Sequence, residues 1–229
     1  MHKIGKKNYE YFEEINQGVK RYIPINKTVL DVGGGFGALG EEFEKKNNKV
    51  CNIDSSEYAI KESKRRVSES YLGDITESKK LPEEITGRKF DVIVFADILE
   101  HVYDPFSVLK IYRKFLKEKG TIIVSVPNIA TWLMRLKLLF GSFNYMDTGT
   151  LDRTHIRFFT KKSITKLVER AGYKVELVDI TLNFVRPLVP LVKLFLKKKN
   201  NKVHDPKSII NSKYYQFYLS YISHRKIGF

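Results

Sequence analysis

The sequence is poor in cysteine and has no long apolar run, and each absence excludes a class of protein. Cys51 is the only cysteine among 229 residues, so an intrachain disulfide and a disulfide-stapled secreted domain are excluded. No stretch reaches the roughly 18 consecutive apolar residues of a transmembrane helix. The basic first residues lead into acidic and aromatic residues, not into the apolar core of a signal peptide. We therefore expect a single cytoplasmic domain spanning residues 1–229.

Acidic residues are in deficit, because 26 Asp and Glu stand against 41 Lys and Arg and leave a net charge of +15. The excess is concentrated in residues 186–229, where ten basic residues accompany one acid. Within this segment an apolar stretch, 187–196, ends in three lysines, 197–199. We predict a basic amphipathic insertion at about 186–212 that makes peripheral contact with anionic lipid at the inner membrane face. A crossover element packed on the sheet and a nucleic-acid-binding surface are the alternatives.

Glycines cluster where the first apolar strand ends, at Gly33, Gly34, Gly35, Gly37 and Gly40. Glycine tolerates positive φ and close approach of the backbone to a ligand, and the helix that follows offers unpaired N–H groups. This pattern predicts a site for a nucleotide-containing cofactor. No Lys-Ser/Thr follows the glycines, which excludes a P-loop, whereas a dinucleotide fingerprint is satisfied and leaves an NAD-dependent oxidoreductase as an alternative.

Carboxylates stand at the ends of four successive predicted strands: Asp31, Asp54, Asp74 and Asp97. Asp31 precedes the glycine turn, where a negative charge disfavours pyrophosphate and favours a cationic ligand. Asp54 occupies the position from which an acid bonds both ribose hydroxyls. Asp74 is placed to accept a hydrogen bond from an adenine amino group.

Apolar runs and helical patterns alternate along the chain, which predicts an α/β protein with a parallel sheet covered on both faces. Strands are predicted near residues 28–32, 49–53, 70–72, 91–96, 120–126 and 174–182, with a last one in 214–226. Helices are predicted near residues 37–46, 56–67, 105–117 and 161–171.

These features together resemble the class I S-adenosylmethionine-dependent methyltransferases. The matching pieces are Asp31-x-Gly33-x-Gly35-x-Gly37, Asp54, Gly73-Asp74-Ile75, and the stretches 97–105 and 116–128. The resemblance implies a Rossmann-like, doubly wound, seven-stranded sheet, mostly parallel with an antiparallel last strand. It implies that S-adenosyl-L-methionine is the cofactor. The implied roles are the methionine part for Asp31, Gly33, Gly35 and Gly37, the ribose for Asp54, the adenine for Asp74 and Ile75, and a position beside the methionine part for Asp97.

A second motif resembles one branch of that family. Glu100-His101-Val102, followed by Asp152-x-x-His155-x-x-Phe158-Phe159-Thr160, is similar to the branch with ubiquinone-biosynthesis and sugar or cell-surface O-methyltransferases. A hydroxyl acceptor needs a base, and a histidine has a suitable pKa near 6.5. We predict His101 or His155 as this base. The alternatives are a helix-start role for His101, a hydrogen bond to Asp152 for His155, and a structural role for Glu100; no metal is expected.

The acceptor pocket is predicted in an insertion at about 128–159. Residues 129–143 carry apolar side chains at helical spacing and predict an amphipathic lid, with an ordinary core helix as the alternative. Tyr9, Tyr11 and Phe12 are expected to cover the cofactor. The predicted activity is O-methylation of a small molecule, saccharide or cell-surface precursor. A nucleic-acid methyltransferase, an NAD-dependent enzyme and a non-catalytic binding module are the alternatives, and the oligomeric state stays open.

Overall fold

The computed structural model describes residues 15–181 and 216–223, the latter together with 180–181 as backbone only. Its centre is a parallel sheet of five strands: β1 (Thr28–Val32), β2 (Lys49–Asp54), β3 (Glu69–Leu72), β4 (Phe90–Ala96) and β5 (Leu116–Pro127). They lie side by side in the order β3-β2-β1-β4-β5. The direction of winding reverses between β1 and β4, and in open α/β sheets this switch point is where ligands bind. The α/β Rossmann-like prediction is confirmed.

Alternation along the strands buries apolar side chains on both faces of the sheet. In β4, Val92 and Val94 join one core cluster, and Ile93 and Phe95 join the other. Successive side chains of a strand point to opposite faces, so a continuous apolar run needs cover on both. The helices that provide this cover and the connections are α1 (Gln17–Lys20), α2 (Ala38–Glu44), α3 (Glu57–Ser63), α4 (Glu83–Thr86), α5 (Pro105–Arg113), α6 (Trp132–Leu139) and α7 (Lys161–Arg170).

Local signals set the helix ends. Thr160 and Ser163 form a capping box at the start of α7, and the Asp104 side chain accepts a hydrogen bond from the Ser107 amide at the start of α5. The prediction that α5 continues to 117 was wrong, because β5 already pairs with β4 at Leu116. The register then shifts, and Gly120 lies within β5.

Three further strands extend the sheet beyond β5. β8 (Gln216–Ser223) runs antiparallel to β5, and β6 (Lys174–Val175) and β7 (Asp179–Thr181) both pair with β8. The described residues thus form eight strands where seven were predicted, because the strand expected over 174–182 is interrupted. The interruption lies opposite the part of β8 whose pairing with β5 shifts register, and a bulge of this kind disrupts the ladder.

Two predicted segments lie outside the described residues: the aromatic N-terminal segment with Tyr9, Tyr11 and Phe12, and the basic insertion at 186–212. Within residues 15–181 and 216–223, no helix has the length and apolar character needed to cross a bilayer.

Candidate cofactor and acceptor site

The glycine turn after β1 requires glycine for two physical reasons. Gly33, Gly35 and Gly37 have φ of 72°, 53° and 77°, the left-handed region that side-chain-bearing residues rarely adopt. Gly34 has no room for a side chain, since an added Cβ would lie 2.5 Å from Asn52 Oδ1 and 2.6 Å from an Asp31 carboxylate oxygen. Gly37 is the N-cap of α2, so the helix begins at Ala38, one residue after its predicted start. The backbone of the glycine turn can therefore pack closely against the carboxyl ends of β1 and β2.

Asp31 is a buried carboxylate without a hydrogen-bond partner among the described residues. Its side chain is 2% exposed, and neither of its oxygens is paired. Burial, and secondly the charge of Asp54, raise the pKa of Asp31 to about 7. Asn52 Oδ1, beside the same glycine turn, is equally unpaired within that part of the chain. Burying acceptor atoms without a partner costs free energy unless a hydrogen-bond donor or a cation contacts them. The amino group of a methionine moiety is a cationic donor of this kind.

Asp54 ties the glycine turn to the end of β2. One carboxylate oxygen accepts from the Gly35 amide at 3.0 Å and the other accepts from the Ser56 amide at 2.9 Å. The side chain is buried. Asp54 therefore supports the turn in addition to the ribose-binding role predicted for it, which stays a prediction.

Asp74 and Ile75 follow β3. One Asp74 oxygen accepts from the amide and the hydroxyl of Thr76, at 2.9 and 2.6 Å, and the other faces Lys80 Nζ at 3.4 Å. These bonds hold the pKa of Asp74 below its usual value. Ile75 is buried in the core cluster beside the sheet. Their adenine-binding roles stay predictions.

The strand order lines up the four predicted carboxylates. β3, β2, β1 and β4 are neighbours in that order and run parallel. Asp74, Asp54, Asp31 and Asp97 therefore follow one another along the carboxyl edge of the sheet. This row crosses the switch point between β1 and β4.

Asp97 belongs to a network that the sequence did not predict. Its oxygens accept from Ser125 Oγ at 2.9 Å and from Asn16 Nδ2 at 2.7 Å, and Asn16 Nδ2 also donates to Ser125 Oγ at 2.8 Å. The Asp97 backbone has φ of 52°. Asn16 is the N-cap of α1, which a sequence pattern can suggest, but its contact with a residue 81 positions away is a tertiary fact.

Glu100, His101 and His155 meet next to Asp97. The two imidazole centroids are 4.7 Å apart, and Glu100 Oε1 lies 4.0 Å from His155 Nε2. Glu100 and His155 are buried, whereas solvent reaches His101. The amides of residues 156 and 157 donate to the Glu100 carbonyl at 3.0 Å, and this holds the loop that carries His155 against the end of β4.

The electrostatics of this trio differ from what the sequence suggested. Burial, and secondly Asp97, raise the pKa of Glu100 well above its usual value, and neither oxygen is hydrogen-bonded within the described residues. Burial, and secondly His155, lower the pKa of His101. The alternative of a hydrogen bond between His155 and Asp152 is met by the backbone, because the His155 amide donates to the Asp152 carbonyl oxygen at 3.0 Å. The Asp152 side chain accepts from the Thr154 amide, and His155 Nδ1 lies 3.2 Å from the Thr150 carbonyl oxygen.

The insertion after β5 carries exposed apolar residues. In α6 only Met134 is buried, while Trp132 is 54% exposed, and Leu139 and Phe140 are 77% and 78% exposed. An ordinary core helix would bury more of this surface. Closure of α6 over a substrate stays a prediction.

Comparison with known proteins places these features in a family. A methyltransferase domain family matches residues 7–178. A ubiquinone biosynthesis O-methyltransferase of Idiomarina loihiensis is 28% identical over 192 residues, 80% of this chain and 72% of that protein. A protein of the same name from Coxiella burnetii is 30% identical over 167 residues, 71% of this chain and 69% of that protein.

Solved structures show the same fold at low identity. A SAM-dependent methyltransferase of Archaeoglobus fulgidus superposes with a TM-score of 0.60 at 16% identity, over 90% of this chain and 93% of that one. Magnesium protoporphyrin IX methyltransferase of Synechocystis, crystallised with bound SAH, gives 0.57 at 14% identity, over 90% of this chain and 80% of that one. The glycine turn, the row of carboxylates and the Glu-His pair all lie within the matched residues 7–178, and the chain belongs to the family of S-adenosylmethionine-dependent methyltransferases.

Proposed function

We propose that this chain transfers the methyl group of S-adenosylmethionine to a hydroxyl oxygen of a small molecule, of a quinone-like, saccharide or cell-surface-precursor kind. The observation that carries the proposal is the order of groups along the carboxyl edge of the sheet. Cofactor-type carboxylates stand at the carboxyl ends of β3, β2 and β1. A buried carboxyl and one histidine follow β4, and a second histidine joins them from the loop before α7. The relatives named ubiquinone biosynthesis O-methyltransferase support oxygen as the acceptor atom.

The residues present fit this cofactor. We infer that Asp31, which has no hydrogen-bond partner in the described part of the chain, receives the amino group of the methionine part. We infer also that the glycine turn, including Gly33, Gly35 and Gly37, lies against it. Asp54 would bond the ribose, Asp74 with Ile75 would hold the adenine, and Asp97 would lie beside the methionine part. When bound, the cofactor supplies an electrophilic methyl group on a sulfonium ion. The contribution of the chain is to align the acceptor oxygen with it and to assist removal of the proton.

His101 and His155 are the groups we assign to the proton step. The lowered pKa of His101 leaves its imidazole neutral near pH 7, the form that has a lone pair. His155 lies in ring contact with it. Both stand after β4 or in the loop held against it, on the edge of the sheet that carries the predicted cofactor residues.

The neighbouring surface supports an apolar or aromatic acceptor. Phe143, Tyr145 and Phe158 form ring contacts, with Phe143 5.7 Å from each of the other two. Exposed Leu139 and Phe140 stand shortly before them in the chain, at the end of α6. We infer that this surface forms the acceptor pocket, and that the basic residues 186–212 bring it to an anionic membrane surface. We infer also that β8 is the antiparallel last strand of the seven-stranded family sheet, which its pairing with β5 supports.

The proposal is tested first by binding and then by turnover. Calorimetry should show one S-adenosylhomocysteine bound per chain and no binding of NAD, and Asp31→Asn should weaken S-adenosylhomocysteine binding at least tenfold. Transfer of labelled methyl groups is then screened against catechols, hydroxylated prenyl-benzenes, sugars and RNA. Methylation of a hydroxyl compound supports the proposal. Binding of NAD alone, or methylation of RNA alone, contradicts it.

A further inference from the structure

We propose that Asn16 is a positioning residue for methyl transfer, because its side chain fixes the turn after β4 that joins the cofactor side of the site to the acceptor side. One amide N–H of Asn16 donates to Asp97 Oδ2 at 2.7 Å, and the other donates to Ser125 Oγ at 2.8 Å. Asn16 and Ser125 are both buried. Neither belongs to the row of carboxylates or to the histidine pair, so both add to the site already described.

The bonds of the Asn16 side chain go beyond what capping a helix requires. Asn16 is the N-cap of α1, where its Oδ1 accepts from the Val19 amide at 2.8 Å. Serine and aspartate cap helices about as well as asparagine does, but neither has a side-chain NH₂ group. Capping alone therefore does not require asparagine at this position, whereas the two bonds to Asp97 and Ser125 do.

The turn that Asn16 holds has a backbone conformation that needs support. Asp97 has φ of 52°, in the left-handed region, which is unfavourable for a residue with a side chain. Its amide donates to the Ser125 carbonyl oxygen at 3.1 Å, and its Oδ1 accepts from Ser125 Oγ at 2.9 Å. Such a conformation persists only where the surrounding structure fixes it, and Asn16 and Ser125 supply bonds that do so.

The residues that follow Asp97 connect the two sides of the site. Ile98 packs against the glycine turn so closely that a Cβ added to Gly33 would lie 2.6 Å from Ile98 Cγ1. The short 3₁₀ turn Leu99–His101 begins directly after Ile98 and carries the acid and the first histidine of the acceptor side. A rotation of the backbone at Asp97 would therefore move the acceptor side relative to the cofactor side.

The helix that carries Asn16 is itself held in place. Val19 in α1 is fully buried in a core cluster. Tyr22, which follows α1, donates its hydroxyl to Asp179 Oδ2 in β7 at 2.6 Å. Because α1 is tied to β4 and β5 at its start and to β7 after its end, Asn16 can act as a fixed point for the turn.

The spacing that this turn sets matters because methyl transfer is an in-line displacement. The acceptor atom, the methyl carbon and the sulfur must be aligned, and a misplacement of about 1 Å can lower the rate about 100-fold. Asn16 acts through Asp97 and does not contact the reacting atoms. The inference rests on the proposed function in taking the residues after β4 as the acceptor side, but it holds whichever atom of the acceptor is methylated.

The test compares two buried asparagines of the full chain. Asn16→Ser keeps a helix cap and removes the bonds to Asp97 and Ser125. Asn48→Ser is the matched control, because the Asn48 side chain also makes three hydrogen bonds but precedes β2, at the opposite edge of the sheet.

We expect Asn16→Ser to lower kcat at saturating S-adenosylmethionine by at least about tenfold, while the affinity for S-adenosylhomocysteine changes by less than about threefold. Asn48→Ser should lower the melting temperature and keep kcat. Turnover is measured with whichever compound of the screen is methylated, RNA included. If Asn16→Ser does not fold, as circular dichroism would show, Ser125→Ala carries the comparison, because it leaves the cap of α1 intact.

A second measurement needs no acceptor and separates this inference from the proposed function. The carbon-13 resonance of the labelled methyl group of bound S-adenosylmethionine reports its surroundings, and it should shift in Asn16→Ser but not in Asn48→Ser. If the screen yields only methylated RNA or no product, the proposed function fails, and this resonance still decides the role of Asn16.

Three results would overturn the positioning role. The first is a wild-type kcat in Asn16→Ser or, where no product is found, an unchanged methyl resonance. The second is an equal loss of kcat in Asn48→Ser, which would make the effect one of stability alone. The third is a loss of S-adenosylhomocysteine affinity without a change in kcat, because the network would then serve binding only.

Discussion

Asp31 and Asp54 are two buried carboxylates at neighbouring strand ends that differ in their hydrogen bonding. Asp54 is satisfied by backbone amides of the glycine turn and of residue 56, whereas Asp31 is buried and unpaired within the described residues. Asp54 therefore supports the turn, and Asp31 is the carboxylate that we propose receives the ligand. Replacing each should have a different effect.

For Asp31 we predict that S-adenosylhomocysteine binds more tightly as pH rises from 5.5 to 8. The free protein holds a proton on this group up to its pKa of about 7, and a cationic amino group favours the ionised form. Binding at pH 6 should release a proton, which calorimetry in buffers of different ionisation enthalpy measures. Asp31→Asn should remove that release; an unchanged proton count in this variant would refute the assignment.

The same group links stability to pH in the opposite direction. Its pKa in the folded state is raised, so its contribution is complete below about pH 4 and is lost as pH rises through about 7. The loss amounts to about 4 kcal/mol at most, at 1.36 kcal/mol per pKa unit. Urea unfolding of the ligand-free protein between pH 4 and 8 should show it, and Asp31→Asn should flatten the profile.

Asp54→Ala should weaken S-adenosylhomocysteine binding by about 1.5 to 3 kcal/mol for each charged hydrogen bond lost. The variant should also lose stability, because the Gly35 and Ser56 amides lose their acceptor. Asp54→Asn, which keeps an oxygen acceptor, is the matched control for the turn. Calorimetry on the folded Asp54→Ala variant measures the affinity for S-adenosylhomocysteine. An unchanged affinity would show that Asp54 does not bind the cofactor.

His101→Gln and His155→Gln should each keep affinity for S-adenosylhomocysteine and lose turnover by about 100-fold or more, a common scale for loss of acid–base assistance. The reason is that both stand at the acceptor side, with their Nδ1 atoms already engaged by carbonyls. Turnover is measured with the acceptor found in the screen. Full activity of both variants would transfer the proton step to another group or to solvent.

At the scale of the element, α6 exposes more apolar surface to solvent than a helix that only covers the sheet would. Leu139 and Phe140 are mostly exposed, while Met134 on the same helix is buried. Leu139→Ser with Phe140→Ser should therefore leave the melting temperature unchanged and raise KM about tenfold, the equivalent of about 1.4 kcal/mol of lost apolar contact. Met134→Ala is the contrasting control and should lower the melting temperature. An unchanged KM in the double variant would place the acceptor elsewhere.

At the scale of the whole molecule, the net charge of +15 is the property that points beyond the active site. We predict that the chain sediments with anionic vesicles at low salt and is released as salt rises, because exposed charges are screened over about 8 Å at physiological ionic strength. Changing the three lysines 197–199 to Gln should abolish sedimentation. The same charge removed at exposed Lys61, Lys64 and Lys79 should not. If the tail variant binds as strongly as the wild type, the proposed membrane contact is wrong.

The sequence by itself was sufficient for the class of fold, for the glycine turn and for the row of carboxylates along the carboxyl edge of the sheet. Apolar runs, glycines and caps are local signals, so they located β1, β2 and β4, the glycine turn and the start of α7. The row of carboxylates could be predicted because each lies at or within two residues of the carboxyl end of a strand, and parallel neighbours end at one edge.

Only the tertiary structure decided what those side chains meet. Burial left the Asp31 carboxylate without a hydrogen-bond partner among residues 15–181 and 216–223. Chain folding brought Asn16 to Asp97 and His155 to Glu100 across long separations in sequence. The interruption between β6 and β7 likewise depended on the pairing of β8, which no local pattern contains. Side-chain hydrogen bonds and pKa shifts depend on distances between residues that are remote in the chain, so they could be known only from the folded structure. Hydrophobic periodicity and helix capping depend on residues that are neighbours in the chain, so the sequence alone was enough to predict them.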